Sequence, residues 1–262
     1  MKTGTVKTDT FSMDYCMFGR GKEALVILPG LSVQSVMGAG AAIEEAYRLL
    51  AEDFTIWLFD RRNEPPPVYS IRDMAEDTAA AIRALGLGPV CLFGASQGGM
   101  IAMELAAGHP ALVRRLVLGS TAACVGPEPR ALFEHWIGLA EEGEREALYF
   151  AFAEAVYPKA VFAESRDMLR GLAKTVTDEE LRRFVILAKP LCTFDVLDKL
   201  EQIACPTLVI GSDDDGVVGA AASRQLAQGI NNSKLHMYDG YGHAAYDLAP
   251  DYKQRLLHFF NG

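Results

Sequence analysis

Three features of this 262-residue chain predict an α/β fold: a mostly parallel, doubly wound sheet with an inserted helical segment. Short apolar runs alternate with helical patterns along most of its length, which places helices on both faces of a sheet. The runs in "ALVILPG", "PVCLF" and "PTLVIGS" are apolar at consecutive positions, as expected of strands covered on both faces. Between Gly126 and about Leu200, strand-like runs stop while helical patterns continue.

The elements follow in order. The N-terminal residues alternate as a strand does, and from Phe11 to Phe18 the residues Phe11, Met13, Tyr15 and Met17 alternate with Ser12, Asp14 and Cys16. An antiparallel meander is therefore expected to open the sheet. Ala24 to Gly30 is a buried strand, a helical stretch covers roughly Met37 to Ala51, and Phe54 to Asp60 is another buried strand. The prolines of "NEPPP" mark a loop. Ile71 to Leu85 is the clearest helix, with Ile71, Met74, Ala75, Thr78, Ile82 and Leu85 on one face and Gly86 and Gly88 at its stop. "PVCLF" is a strand, "MIAMELAAGH" an apolar helix ended by Pro110, and "RRLVLGST" a further strand. Strand "PTLVIGS", helix Ala220 to Gln228, strand "KLHMY" and helix Asp251 to Phe260 complete the chain.

The core thus divides into residues 1–125 and 201–262, around a helical cap over 126–200. Within the cap, Thr177 and Glu180 have the capping-box spacing before "LRRFVILA". Its large apolar side chains (Phe133, Trp136, Tyr149, Phe150, Phe152, Tyr157, Phe162, Phe184) are expected mainly to hold the cap helices together. A few should line a pocket, because a lid over the carboxyl edge of a sheet encloses one.

Half of the residues are hydrophobic, enough for a substantial core. A formal charge of −9 without any lysine or arginine run supplies no cationic surface for nucleic acid or an anionic membrane. No stretch reads as a signal peptide or a membrane span, so a cytoplasmic protein is expected. Five scattered cysteines (Cys16, Cys91, Cys124, Cys192, Cys205), with no C-x-x-C pair, suit a reducing compartment and suggest neither disulfides nor zinc.

The segment "FGASQGG", Phe93 to Gly99, carries the chemistry. A G-x-S-x-G pattern lodged between a buried strand and an apolar helix is the arrangement of a nucleophile elbow. The turn is too sharp for large side chains, and its strain pushes the Ser96 hydroxyl out over the sheet edge. The free N–H groups at the start of the helix point at the same spot.

A serine hydroxyl needs a base, and the base needs a carboxylate to fix its tautomer. Of the five histidines, His109 lies at a helix end, His236 in a strand, and His135 and His258 on helical patterns. His243, in the loop "DGYGHAAYDLAP" after the last strand, can reach the carboxyl edge and is the expected base. The acid should come from "SDDDG", where Asp213, Asp214 and Asp215 compete. Burying three adjacent carboxylates is prohibitive, so two should be solvated turn residues. Asp214 is the expected acid.

The order Ser96, Asp214, His243 matches the α/β-hydrolase triad. The chain resembles the α/β-hydrolase superfamily through "LFGASQGGMIAMELA", "TLVIGSDDDGVV" and "GYGHAAYDLAPDY", with "LFDRRN" and "SIRDMAEDTAAAIRALGL" leading into the elbow. The resemblance implies an eight-stranded sheet and an oxyanion hole formed by the backbone N–H groups of Gln97 and Leu31. Members more often have histidine where this chain has Pro29, and Ser32 offers a hydroxyl nearby. It also implies hydrolysis of a small to medium, fairly apolar ester or lactone through an acyl-enzyme on Ser96, with a small-molecule acyl substrate as partner and with no metal or cofactor. Carbon–carbon hydrolases, acyltransferases and cofactor-free haloperoxidases or perhydrolases share the same triad, and some members of the fold only sense ligands. Epoxide hydrolases and haloalkane dehalogenases carry aspartate in place of Ser96, and proline iminopeptidases tend to have tryptophan in place of Gln97.

Overall fold

The computed structural model describes residues 1–262. Eight strands form one sheet: β1 (Lys2–Lys7), β2 (Ser12–Gly19), β3 (Glu23–Leu28), β4 (Phe54–Arg62), β5 (Val90–Ala95), β6 (Val113–Gly119), β7 (Thr207–Ser212) and β8 (Ser233–Tyr238). Their spatial order is β1-β2-β4-β3-β5-β6-β7-β8. β1 pairs antiparallel with β2, and β2 antiparallel with β4, while every pairing from β4 to β8 is parallel. The doubly wound sheet with an opening meander is therefore the observed architecture.

The helices are α1 (Gly40–Ala46), α2 (Ile71–Ala84), α3 (Gln97–Gly108), α4 (Pro127–Glu141), α5 (Arg145–Val156), α6 (Lys159–Ala173), α7 (Asp178–Ala188), α8 (Ala220–Gly229), α9 (Ala245–Leu248) and α10 (Tyr252–Asn261). None is long and apolar enough to cross a membrane. The helix expected over Met37 to Ala51 is broken: 3-10 turns at Val36–Ala39 and Arg48–Leu50 flank a short α1. Gly38 and Gly40 each cost about 1 kcal/mol relative to alanine in a helix. The Ser35 hydroxyl, accepting from Met37 N at 3.2 Å, starts a tighter turn instead.

The two sheet faces bury separate clusters because strand side chains alternate. Val26, Leu28, Leu92, Leu116 and Leu118 face α2 and α3, joining Met74, Ile82, Ile101 and Leu105. Leu25, Ile27, Phe93, Val117 and Ile210 face the other way, joining Leu50 and the α10 residues Tyr252, Leu256 and Phe260. Strands bounded by such residues are wet on neither face, which is why they lack a polar alternation.

Between β6 and β7 the chain adds α4 to α7 and no strand. Thr177 and Glu180 form the expected capping box at the start of α7: Thr177 Oγ1 accepts from Glu180 N at 3.2 Å, and Glu180 Oε2 accepts from Thr177 N at 2.8 Å. Phe162, with Tyr149, Phe150 and Tyr157 around it, forms a small cluster between α5 and α6, whereas Phe184 joins the main core.

The β5–α3 junction packs backbone against backbone. A Cβ on Gly94 would lie 2.3 Å from the Gly98 carbonyl oxygen, and a Cβ on Gly98 would lie 2.0 Å from the Leu28 oxygen. Neither clash can be relieved by turning a side chain. Gly98→Ala is therefore expected to lower stability by about 3 kcal/mol or more. Urea unfolding checks this, and an unchanged midpoint contradicts it.

Candidate active site

Ser96 sits at the tip of the β5–α3 junction as the N-cap of α3, with φ 52° and ψ −120°. Ser96 and Ser120 are the two non-glycine residues with positive φ. The conformation is held from both sides: Ser96 N donates to Gly119 O at 2.9 Å, and the Thr121 hydroxyl donates to Ser96 O at 2.7 Å. Gly30 comes so close that a Cβ there would lie 3.2 Å from Ser96 Cβ.

His243 follows β8 on a 3-10 turn, Gly242–Ala244, and is 2% exposed. Gly242 before it adopts φ +59°, a left-handed conformation open to glycine at no steric cost. His243 Nδ1 lies 2.9 Å from both carboxylate oxygens of Asp215. With the proton on Nδ1 donated to that carboxylate, Nε2 is left free to accept another.

The partner of His243 is thus Asp215, and the expectation of Asp214 is corrected. One of the three aspartates is buried and two are exposed, as charge burial requires, but the buried one is the third. Asp213 pairs with Arg224 at the surface. Asp214 accepts from the Ser212 hydroxyl, from Gly240 N at 3.2 Å and from Gly242 N at 3.0 Å, which braces the loop carrying His243. Asp215 accepts from Val217 N at 2.9 Å and Val218 N at 3.0 Å as well as from the imidazole.

Burial pushes the Asp215 carboxyl toward the protonated form, but the imidazole and the two backbone N–H groups outweigh it and hold its pKa below the usual aspartate value. Burial likewise opposes the Asp214 charge, and the Ser212 hydroxyl with the Gly242 and Gly240 N–H groups again wins.

Ser96 and His243 open onto the same cavity, together with Leu31 and Gly30 of the loop after β3. Its volume is about 20 Å³, room for roughly one water molecule. The inserted helices close it with Phe133, Trp136, Phe152 and Val156. Three of the eight large side chains expected in the insertion therefore line the pocket. Gln97, whose N–H belongs to the open first turn of α3, has a buried side chain. The Ser32 hydroxyl donates to Gln34 O at 2.6 Å, so it shapes its own loop.

Sequence patterns did not single out Arg61. It is 4% exposed at the end of β4, and its Nη2 donates to Pro29 O at 2.6 Å and to Gln97 Oε1 at 3.2 Å. Burial lowers its guanidinium pKa to about 10, against the opposing pull of the Asp60 charge, so it stays cationic at neutral pH. The available signal was the first of the two arginines inside "LFDRRN", at the end of an otherwise apolar strand. No group of three or more His, Cys, Asp or Glu side chains is gathered where it could hold a metal ion.

The family model described as "Alpha/beta hydrolase family" matches residues 25–252. The chain is 29% identical over 241 residues to a putative carbamate hydrolase RutD of Agrobacterium fabrum, covering 86% of this chain and 91% of the relative. It superposes with a TM-score of 0.88 on an alpha/beta hydrolase enzyme, MGS-M2, from a Medee basin deep-sea metagenome library, at 22% identity and with 99% and 98% of the two chains covered. The enol-lactonase from Burkholderia xenovorans LB400 aligns with a TM-score of 0.85 at 17% identity, over 99% of this chain and 100% of its own.

Asp215 holds a proton less readily folded than unfolded. The stability it confers is complete above its ordinary value of 3.8 and is lost as pH falls through the lower folded value. The advantage of the native protein over Asp215→Asn in urea midpoint should accordingly be full at neutral pH and shrink below about pH 4. A gap that stays constant to strongly acid pH contradicts this.

Proposed function

Because this chain belongs to the alpha/beta hydrolase family, we propose that it is a serine hydrolase acting on a carboxylic ester or lactone through an acyl-enzyme on Ser96. The observation that carries the reading is a buried imidazole, fixed through Nδ1 by Asp215, opening on one cavity with a serine held at φ 52°.

Ser96 Oγ attacks the acyl carbonyl carbon while His243 Nε2 takes its proton, and Asp215 stabilises the imidazolium. The carbonyl oxygen becomes an oxyanion that accepts from the N–H groups of Gln97 and Leu31. The carbon–oxygen bond to the leaving group then breaks, and the alcohol departs with the proton from His243. Water, deprotonated by the same Nε2, attacks the acyl-enzyme, and the second collapse releases the acid and restores Ser96.

The closed cavity of about 20 Å³, walled by Phe133, Trp136 and Phe152, favours short, apolar acyl groups and requires the cap to move for entry. A second reading, cleavage of a neutral carbamate ester through a carbamoyl-enzyme, is favoured by the similarity to a putative carbamate hydrolase. No lysine or arginine lines the cavity to offset a charged substrate.

A fluorophosphonate probe should label the native protein once and leave Ser96→Ala unlabelled. In a p-nitrophenyl ester series, acetate should be preferred over octanoate, and Phe152→Ala should move the optimum to longer chains. Absence of labelling in folded protein contradicts the reading. Matched aryl carbamates and acetates then decide between the two substrate classes by kcat/KM.

Asp215→Asn should lower kcat on the order of 10³–10⁴-fold, as loss of the correct tautomer does in serine proteases. Asp214→Asn should lower it by less than about tenfold, because its carboxylate holds the loop and not the imidazole. The reverse ranking would return the acid's role to Asp214.

A further inference from the structure

Helix α7 connects to the loop after β3 along three lines, one direct and two through Asp60 of β4 and Gln97 of α3. The side chains of residues 180 and 183 are three apart, so they share one side of the helix. Glu180 Oε1 accepts from Gln34 Nε2 at 3.1 Å. Arg183 Nη2 donates to Asp60 Oδ1 at 2.9 Å, and Asp60 Oδ2 accepts the Ser35 hydroxyl at 2.5 Å. The carbonyl of Leu187 lies in the last turn of α7, where main-chain acceptors lack helical partners. It accepts from Gln97 Nε2 at 2.6 Å, while Gln97 Oε1 accepts from Arg61 Nη2, which also donates to Pro29 O.

These three lines end on Pro29, Gln34 and Ser35, and Leu31 lies between them. Proline has no N–H of its own with which to anchor the start of the loop, so its carbonyl is the handle. The groups that pull on it are buried: Gln97 is 1% exposed and Arg61 is 4% exposed. In so dry a setting a donor or acceptor left without its partner is costly, so this line holds its length while α7 is seated. The cavity has room for about one water molecule, so a substrate enters only when the inserted helices lift. Were α7 to lift with the helices that wall the cavity, all three lines would break at once.

We propose that α7 positions the oxyanion loop, acting through Gln97 and Arg61 on Pro29, so that the Leu31 N–H is in place only when the inserted helices are closed over the substrate. This rests on the serine-hydrolase reading. The side chains of Gln97 and Arg61 are positioning residues here, distinct from the Gln97 backbone N–H that meets the oxyanion. Closure then does two things together: it excludes water from the acyl group and completes the electrostatic stabilisation of the transition state.

The test compares Gln97→Glu, Gln97→Met and Arg61→Met with the native protein. Gln97→Glu keeps the bond from Arg61, now as an ion pair, and sets a carboxylate against the Leu187 carbonyl, so it opens the α7 end even where Gln97→Met, which removes both bonds without adding charge, fails to fold. Two readouts are taken: kcat and KM per fluorophosphonate-titrated site on p-nitrophenyl acetate, and hydrogen exchange of the amides from 30 to 35. Losing an oxyanion donor costs about 10²–10³-fold, so a displaced one should lower kcat by roughly 10- to 100-fold, with KM within about threefold. Exchange in the loop should quicken by about tenfold or more in Gln97→Glu. If the variants lose titratable sites and thermal stability while kcat per site stays within about twofold of native, the groups only hold the fold and the proposal is overturned. If the native protein neither labels nor turns over esters, the serine-hydrolase reading fails on its own. The exchange data then decide whether α7 governs the loop, and unchanged exchange overturns the proposal in that case too.

Discussion

The positive φ of Ser96 is the constraint on which the rest of the structure depends. A residue with a Cβ is held in a left-handed region it would leave if it could, at a cost of about 1–3 kcal/mol. It cannot leave, because the backbones around it are in contact. Gly98 lies under the end of β3, Gly94 lies under the start of α3, and Gly30 touches the serine itself. Parallel strands β3, β5 and β6 fix those approaches through their registers, so the elbow is a product of the whole sheet. The site stands at the carboxyl edge because β5 ends there and α3 begins there.

Around that fixed point the polar groups divide their work. Three consecutive aspartates after β7 serve three different ends: a surface ion pair, a brace for the loop that carries His243, and the imidazole itself. Both buried carboxylates in the neighbourhood are fully partnered. Asp215 has three donors, and Asp60 has Arg183, Ser35 and its neighbour's N–H. Such networks specify a unique arrangement where an apolar filling would permit several. The walls facing Ser96 from the inserted helices are by contrast aromatic and aliphatic, so in the proposed reaction the charge developing on the carbonyl oxygen is left to backbone N–H groups.

Much of this was legible in the residues. The apolar runs marked β3, β5 and β7 because strands covered on both faces admit no polar alternation, and "GASQG" between a strand and a helix marked the sharp turn at Ser96. His243 stood out because it alone among the histidines lies in a loop at the right edge. The carboxylate that pairs with His243 was misplaced by one residue. Burial logic correctly allowed one carboxylate in three, but which one turns inward depends on how the backbone leaves Ser212, and a one-residue difference there reverses the direction of a side chain. Arg61 was invisible for a related reason: an arginine at a strand's end reads as a solvated terminus, and only the fold shows Pro29, Gln97 and the inserted helices closing over it. The helix around Gly38 and Gly40 was over-read because apolar spacing persists where glycine has already weakened the helix.

The account stands on a covalent acyl intermediate at Ser96. Rapid acid quench during turnover of p-nitrophenyl acetate, followed by peptide mass spectrometry, measures it directly. The account predicts one acetyl group on the peptide containing Ser96, formed in step with the first burst of p-nitrophenol and absent after the ester is consumed. Turnover at full rate with the acetyl group never found on that peptide, or found on another, would contradict it.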